Sequence, residues 1–157
     1  MKKVRSFTRV PVLFILIAAA VFSCKKDSDK DPVPTSKGVE GSWKMTAMNI
    51  TPAYEGITDM LKFYSEFFGN DCLYRVTIIM KPDGTVGGTV PSDCSDEGTD
   101  IFGEPSKWKV VGNKIQLIDG STVDEYDLEV NGSEMKWSYE EITDGKTYKT
   151  TIVLKKV

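Results

Sequence analysis

Histidine is absent from all 157 residues of this chain. A Ser-His-Asp triad and a zinc site built on imidazole are therefore excluded, because the base or ligand that each requires is missing. Cysteine is scarce: Cys24, Cys72 and Cys94 are the only three, and none belongs to a Cys-x-x-Cys unit. A thiolate nucleophile or a thiolate-bound metal has no partner here to activate or complete it. Long hydrophobic runs are missing too. The longest, from Val10 to Phe22, has 13 residues, against roughly 20 for a helix that crosses a bilayer. Carboxylates are plentiful but badly placed for catalysis. Glu140 and Glu141 are adjacent and point to opposite faces of a strand. Asp124 and Glu141 reach one end of the expected fold, the one arrangement from which a two-carboxylate glycosidase can be built. Nothing else supports an enzyme, and none is expected. Asp93, Asp96, Glu97 and Asp100 lack the ordered spacing of a calcium loop. They read as a solvated acidic loop, and neither metal nor cofactor is expected.

What is present begins with an address. Lys2, Lys3, Arg5 and Arg9 precede the apolar run, which abuts Ser23 and Cys24, the layout of an export signal over 1–23. Val21, three before the cysteine, and Ser23, just before it, resemble the lipobox of a bacterial lipoprotein signal. That resemblance implies that Cys24 becomes the lipid-bearing first residue, holding the protein on a membrane through acyl chains without spanning it. Cleavage removes four of the 20 basic residues and none of the 23 acidic ones, so the mature chain carries 16 against 23, a net charge of -7. Such a balance argues against nucleic acid and anionic headgroups as partners. Residues 24–38 then comprise the lipidated cysteine and a polar tether; Lys25 to Gly38, with two prolines and no large aromatic, extends to about 45 Å at most. "CKKDSDKD" also resembles the tract that sends some lipoproteins to the outer face of the outer membrane, which implies an outer-membrane lipoprotein of the cell envelope. By charge patterning alone the same tract reads equally as a plain spacer.

Val39 to Val157 suffices for one domain with one core. Turn signals recur along it: Pro82-Asp83-Gly84, Gly112-Asn113, Asp119-Gly120, Asn131-Gly132 and Asp144-Gly145. They predict eight strands at about 41–50, 72–81, 85–91, 105–111, 114–119, 121–130, 133–142 and 146–156. A tight turn fixes which residues face each other, and facing residues share a side of the sheet. Around Asn131-Gly132 this pairs Leu128 with Met135 and Tyr126 with Trp137. Around Asp144-Gly145 it pairs Met135 with Leu154 and Trp137 with Ile152. Around Gly112-Asn113 it pairs Trp108 with Leu117 and Val110 with Ile115. The three turns agree on one buried face. A hairpin centred on Asp83 also brings Cys72 opposite Cys94, and an exported chain with two cysteines left after lipidation is expected to join them.

The first strand opens "GVEGSWKM", and Gly41-Ser42-Trp43 resembles the Gly-x-Trp motif that starts lipocalins. With eight strands and a long insertion after the first, the chain looks like a lipocalin-like lipoprotein domain over 39–157. The resemblance implies an all-β, eight-stranded, antiparallel up-and-down barrel with one short helix between strands 1 and 2. Trp43 would plug its closed end, with Lys155 as the basic residue packed on it. Eight strands is the size at which a barrel holds side chains or one small ligand.

The insertion "ITDMLKFYSEFFGNDC" carries Ile57, Met60, Leu61, Tyr64, Phe67 and Phe68 on a helical stripe that stops at Gly69. The barrel reading places this helix over the open end. Strand directions put apolar residues such as Met80, Ile115 and Met135 at the Trp43 end, and Tyr74, Asp124, Tyr139, Glu141 and Tyr148 at the other. The expected function is binding of a small apolar or amphipathic molecule there. Tyr74, Trp108, Asp124, Tyr126, Trp137, Tyr139 and Tyr148 would line the site and Tyr64 and Phe67 would close it, so that Phe67→Ala alters ligand release more than stability. The alternative is a non-enzymatic interaction or structural module of the envelope with a filled barrel. No protein partner is identified by the sequence.

Overall fold

The computed structural model describes residues 34–94 and 107–157. The expected signal, Cys24, most of the tether, and Asp96, Glu97 and Asp100 of the acidic loop lie outside the described residues. In chain order the elements are α1 (Ser36–Val39), β1 (Gly41–Tyr54), β2 (Ile57–Asp59), α2 (Met60–Phe68), α3 (Cys72–Arg75), β3 (Thr77–Met80), β4 (Val86–Thr89), β5 (Lys107–Val111), β6 (Lys114–Asp119), β7 (Thr122–Asn131), β8 (Glu134–Thr143) and β9 (Lys146–Lys156).

Eight strands form one antiparallel path, β4-β3-β1-β9-β8-β7-β6-β5, and β2 pairs with β1 beside it. The two ends of the path meet where Thr85 bridges Lys107 and the Trp108 N–H donates to the Gly84 carbonyl at 2.7 Å. The result is a nearly closed eight-stranded barrel. Its interior follows from strand alternation. Trp43, Ile115, Met135 and Leu154 are fully buried, and Leu117, Leu128, Trp137 and Ile152 nearly so. Removing each such side chain from water is worth about 1.5–3 kcal/mol.

Two predicted registers match residue for residue. The β5–β6 hairpin pairs Trp108 with Leu117 and Val110 with Ile115, and the β8–β9 hairpin pairs Met135 with Leu154 and Trp137 with Ile152. The β7–β8 register differs from expectation: Leu128 faces Trp137 and Val130 faces Met135. Here Asn131 stays in the strand opposite Glu134, and the loop residues are Gly132 and Ser133. A glycine leading the loop, at φ 60°, alone supplies the positive angle of a type II′ turn, so Asn131 need not adopt one. At Asp144-Gly145, by contrast, both residues have positive φ, 52° and 74°, as type I′ requires. The slip at Gly132 moves pairing by two residues, one full side-chain period, and the buried face is unchanged.

The second predicted strand is also corrected. Residues 72–75 form the α3 turn, and strand pairing with β1 begins only at Thr77. The β3–β4 register keeps the predicted centre, with Thr77 opposite Thr89 and Met80 opposite Val86. Cys72 and Cys94 accordingly form a disulfide, with Cα atoms 5.7 Å apart.

α2 starts where the Asp59 carboxylate accepts the backbone N–H groups of Leu61 and Lys62, at 3.0 and 3.3 Å, an N-cap. It ends at Gly69 in the left-handed conformation. Asp59 also accepts from the Met48 N–H at 3.1 Å, which ties the helix start to the middle of β1. Leu61 is fully buried, and Met60 and Tyr64 pack on the same core.

Candidate functional site

The closed end is built around Trp43. Its indole N–H donates to the Val39 carbonyl at 2.8 Å, so α1 folds back under the barrel as a plug. Lys156, paired directly with Trp43 on β9, lies over the ring at 5.2 Å, a cation–π contact. Lys156 takes the place expected for Lys155, because Lys155 alternates to the exposed outer side. Gly41 has a physical role in the motif: its φ is 127°, and an added Cβ would sit 2.7 Å from the Lys156 Cε.

The open end is different in chemistry. β7 pairs with β8 only between Asp127↔Ser138 and Asn131↔Glu134. Beyond that point β7 pairs with β6 alone and β8 with β9 alone, so the wall divides. Tyr126 and Tyr139, both half-buried, stand on the two lips with ring centroids 5.7 Å apart, edge to face. Tyr126 also stacks on Trp137 at 6.0 Å. Further along β9, Tyr148 is buried and meets Tyr54 edge to face at 5.4 Å, with the Lys146 ammonium 5.2 Å from its ring. Burial, and secondarily the charge of Asp124, push the Tyr126 hydroxyl up to about 12. It therefore remains a neutral hydrogen-bonding group at ordinary pH.

Trp137, Tyr126, Tyr139 and Tyr148 thus share one inner face. Asp124 and Glu141 belong to it by register, Asp124 opposite Leu117 and Glu141 opposite Tyr148, and both reach solvent at its outer edge. Trp108 stands elsewhere, at the closing seam, with its indole N–H donating to the Lys81 carbonyl at 3.1 Å. Tyr64 and Tyr74 pack on the core from α2 and α3. Burial, then the charges of Asp59 and Glu66, raise the Tyr74 hydroxyl as well.

Phe67 is corrected. It is 71% exposed, about a third of a turn around the helix from Leu61, where it stacks with Phe63 and meets Phe68 edge to face. It does not close the interior, because Leu61 and Tyr64 occupy the inward face. Arg75 falls within the predicted strand 72–81, where alternation would make it an ordinary outward residue, but the structure uses it differently. It ends α3 and binds both carboxylate oxygens of Asp93 next to the disulfide, with Asp71 also in reach at 3.3 Å. This pairing holds Asp93 below the usual carboxylate range.

Tyr54 and Lys146 are members of the open end that sequence reasoning missed, as are buried Thr150, opposite Tyr139 on β8, and buried Ile50, opposite Thr150 on β1. Tyr54 has the same parity as Ile50, but Pro52 interrupts the pattern and marks the end of a strand in a sequence reading. β1 continues past it as an edge beyond its last β9 pair, Thr51↔Lys149.

No curated protein matches the chain. A family model described as a lipocalin-like domain matches residues 39–137, well over half of the sequence. The match begins at Val39, whose carbonyl holds Trp43, and ends at Trp137; most of β8 and all of β9 complete the barrel beyond it. On the motif at Gly41 and Trp43, the nearly closed eight-stranded barrel and this match, the chain belongs to the lipocalin-like domain family.

Proposed function

We propose that the protein is a lipid-anchored, non-enzymatic component of the cell envelope that holds a small apolar or amphipathic molecule against the tyrosine face of its barrel. The lipocalin-like barrel is an architecture with ligand-binding capacity, and Cys24 supplies the anchor. The observation that carries the reading is the division of the wall between Tyr126 and Tyr139. It leaves aromatic side chains half-buried at an opening while the opposite end is plugged by Trp43. Rings lining a partly open apolar surface, with hydroxyls to orient a polar group, are the composition of a small-molecule site. A second reading, docking of an envelope partner, is favoured by Phe63, Phe67 and Phe68, which are 36%, 71% and 52% exposed on α2.

The test is to express the chain through its export route with Cys24→Ser, purify it, and compare its mass under native and denaturing conditions. An added mass found only in the native spectrum, and lost when Tyr126 and Tyr139 are both changed to Ala, is the expected result. No added mass, together with no binding of amphipaths supplied afterwards, sinks the ligand reading in favour of the docking module. For the anchor, metabolic labelling with a palmitate analogue is expected to mark the unaltered chain and not the Cys24→Ser chain; equal labelling of the two removes the lipid anchor from the proposal.

A further inference from the structure

We propose that the tyrosine face selects a cationic headgroup, so that its preferred ligand is an amphipath with an apolar chain ending in a protonated amine or quaternary ammonium. The inference deepens the ligand reading above and rests on it. Three observations converge. Tyr126, Tyr139 and Trp137 present ring edges and faces to one another at 5.7 and 6.0 Å on the divided wall, and such rings attract a cation through their negative faces. Asp124 and Glu141 lie on the same inner face two residues further out, beyond Tyr126 and Tyr139 respectively. Among the described residues neither carboxylate is in an ion pair, whereas Glu125 and Asp127 on the outer face of the same strand both bind Lys114, at 3.0 and 3.3 Å. The inner carboxylates therefore leave their charge for whatever enters.

The third observation is that the rings of this face already hold an ammonium. Lys146 keeps its Nζ 5.2 Å from the Tyr148 ring centroid, and its single positive charge stands against the two carboxylates of Asp124 and Glu141, so the face stays net negative. An anionic headgroup meets the opposite condition. The charge of Asp124 already opposes ionisation of Tyr126, and a carboxylate or phosphate brought to the same ring meets the same repulsion. A neutral chain gains only from the apolar wall below.

Three probes of one chain length separate these cases: decyltrimethylammonium, decanol and decanoate, each titrated below its aggregation concentration into the Cys24→Ser protein. The cation is expected to bind about tenfold tighter than either of the others. In the Asp124→Asn, Glu141→Gln double variant, whose substitutions are at solvent-exposed positions and whose fold is checked by circular dichroism, that preference should shrink to about twofold or less. Equal binding of all three probes, or an unchanged preference in the double variant, overturns the cation inference and leaves the ligand reading standing. Failure of all three to bind overturns both.

Discussion

Gly41, Trp43 and Lys156 act as one unit at the closed end. The indole plugs the barrel and the lysine ammonium lies over its ring. Gly41 permits this twice over, through its backbone angle and through the absent Cβ. Gly41→Ala is expected to cost about 1–2 kcal/mol, mostly from forcing a side chain into a positive-φ conformation. Urea unfolding checks it, and an unchanged midpoint would remove Gly41 from the unit. Tyr126 gives a second residue-scale prediction. Burial pushes its hydroxyl up to about 12, against about 10 for an ordinary tyrosine. Across that interval the unfolded chain has released the proton while the folded chain keeps it, so stability falls as pH rises through the window. Below it, both states are protonated and the effect vanishes. Tyr74 shifts the same way, so Tyr126→Phe should make the alkaline loss shallower without abolishing it. Urea midpoints measured on both sides of the window test this.

At the scale of elements, the insertion between β1 and β3 is held by different means at its two ends. Asp59 caps α2 and ties it to Met48 at one end. The Cys72–Cys94 disulfide and the Arg75–Asp93 pair hold α3 to the segment after β4 at the other. The ion pair is exposed and contributes little. The disulfide closes a loop with a sequence separation of 22, and its removal by Cys72→Ser with Cys94→Ser is expected to cost about 3 kcal/mol. Loss of the outer-face contact around Arg75 without loss of the β5–β9 core is the expected pattern in hydrogen exchange. A uniform loss of protection across all strands would mean that the insertion is part of the global folding unit. α2 itself is fastened by Leu61, while Phe67, expected on the same inward stripe, is exposed.

For the whole molecule, closure depends on the last strand. β9 pairs with β1 on one side and β8 on the other, which makes it the central link of the path although it is the final segment of the chain. Without it, β1-β3-β4 and β5 to β8 become two sheets with newly exposed edges, joined at the seam where Thr85 bridges Lys107 and Trp108 bonds to Gly84 and Lys81. Deleting residues 145–157 is therefore expected to abolish cooperative unfolding, whereas a deletion confined to residues 34–38 should leave the β-sheet spectrum in place. Calorimetry distinguishes the two, and a cooperative transition in the C-terminal deletion would contradict the central place of β9.

Much of this architecture was legible in the sequence because turn chemistry and a two-residue period are local properties. They supplied the buried face, two hairpin registers and the Cys72–Cys94 pairing. Even the displaced turn at Gly132 left Leu128, Met135 and Trp137 inside, since a shift of two preserves the face. The export signal and lipobox proposed for residues 1–24 rest on local patterns as well, read without a fold. Strand parity likewise put Asp124, Tyr139, Glu141 and Tyr148 at one end, but tertiary structure alone decided where the wall opens among them. Where the wall divides depends on how far β7 and β8 stay paired, a compromise between twist and hydrogen bonding that no single segment encodes. Tyr54 joined the site across Pro52 because Tyr148, distant in sequence, meets it, and Phe67 left it because the packing of α2 on β1 turns Leu61 inward.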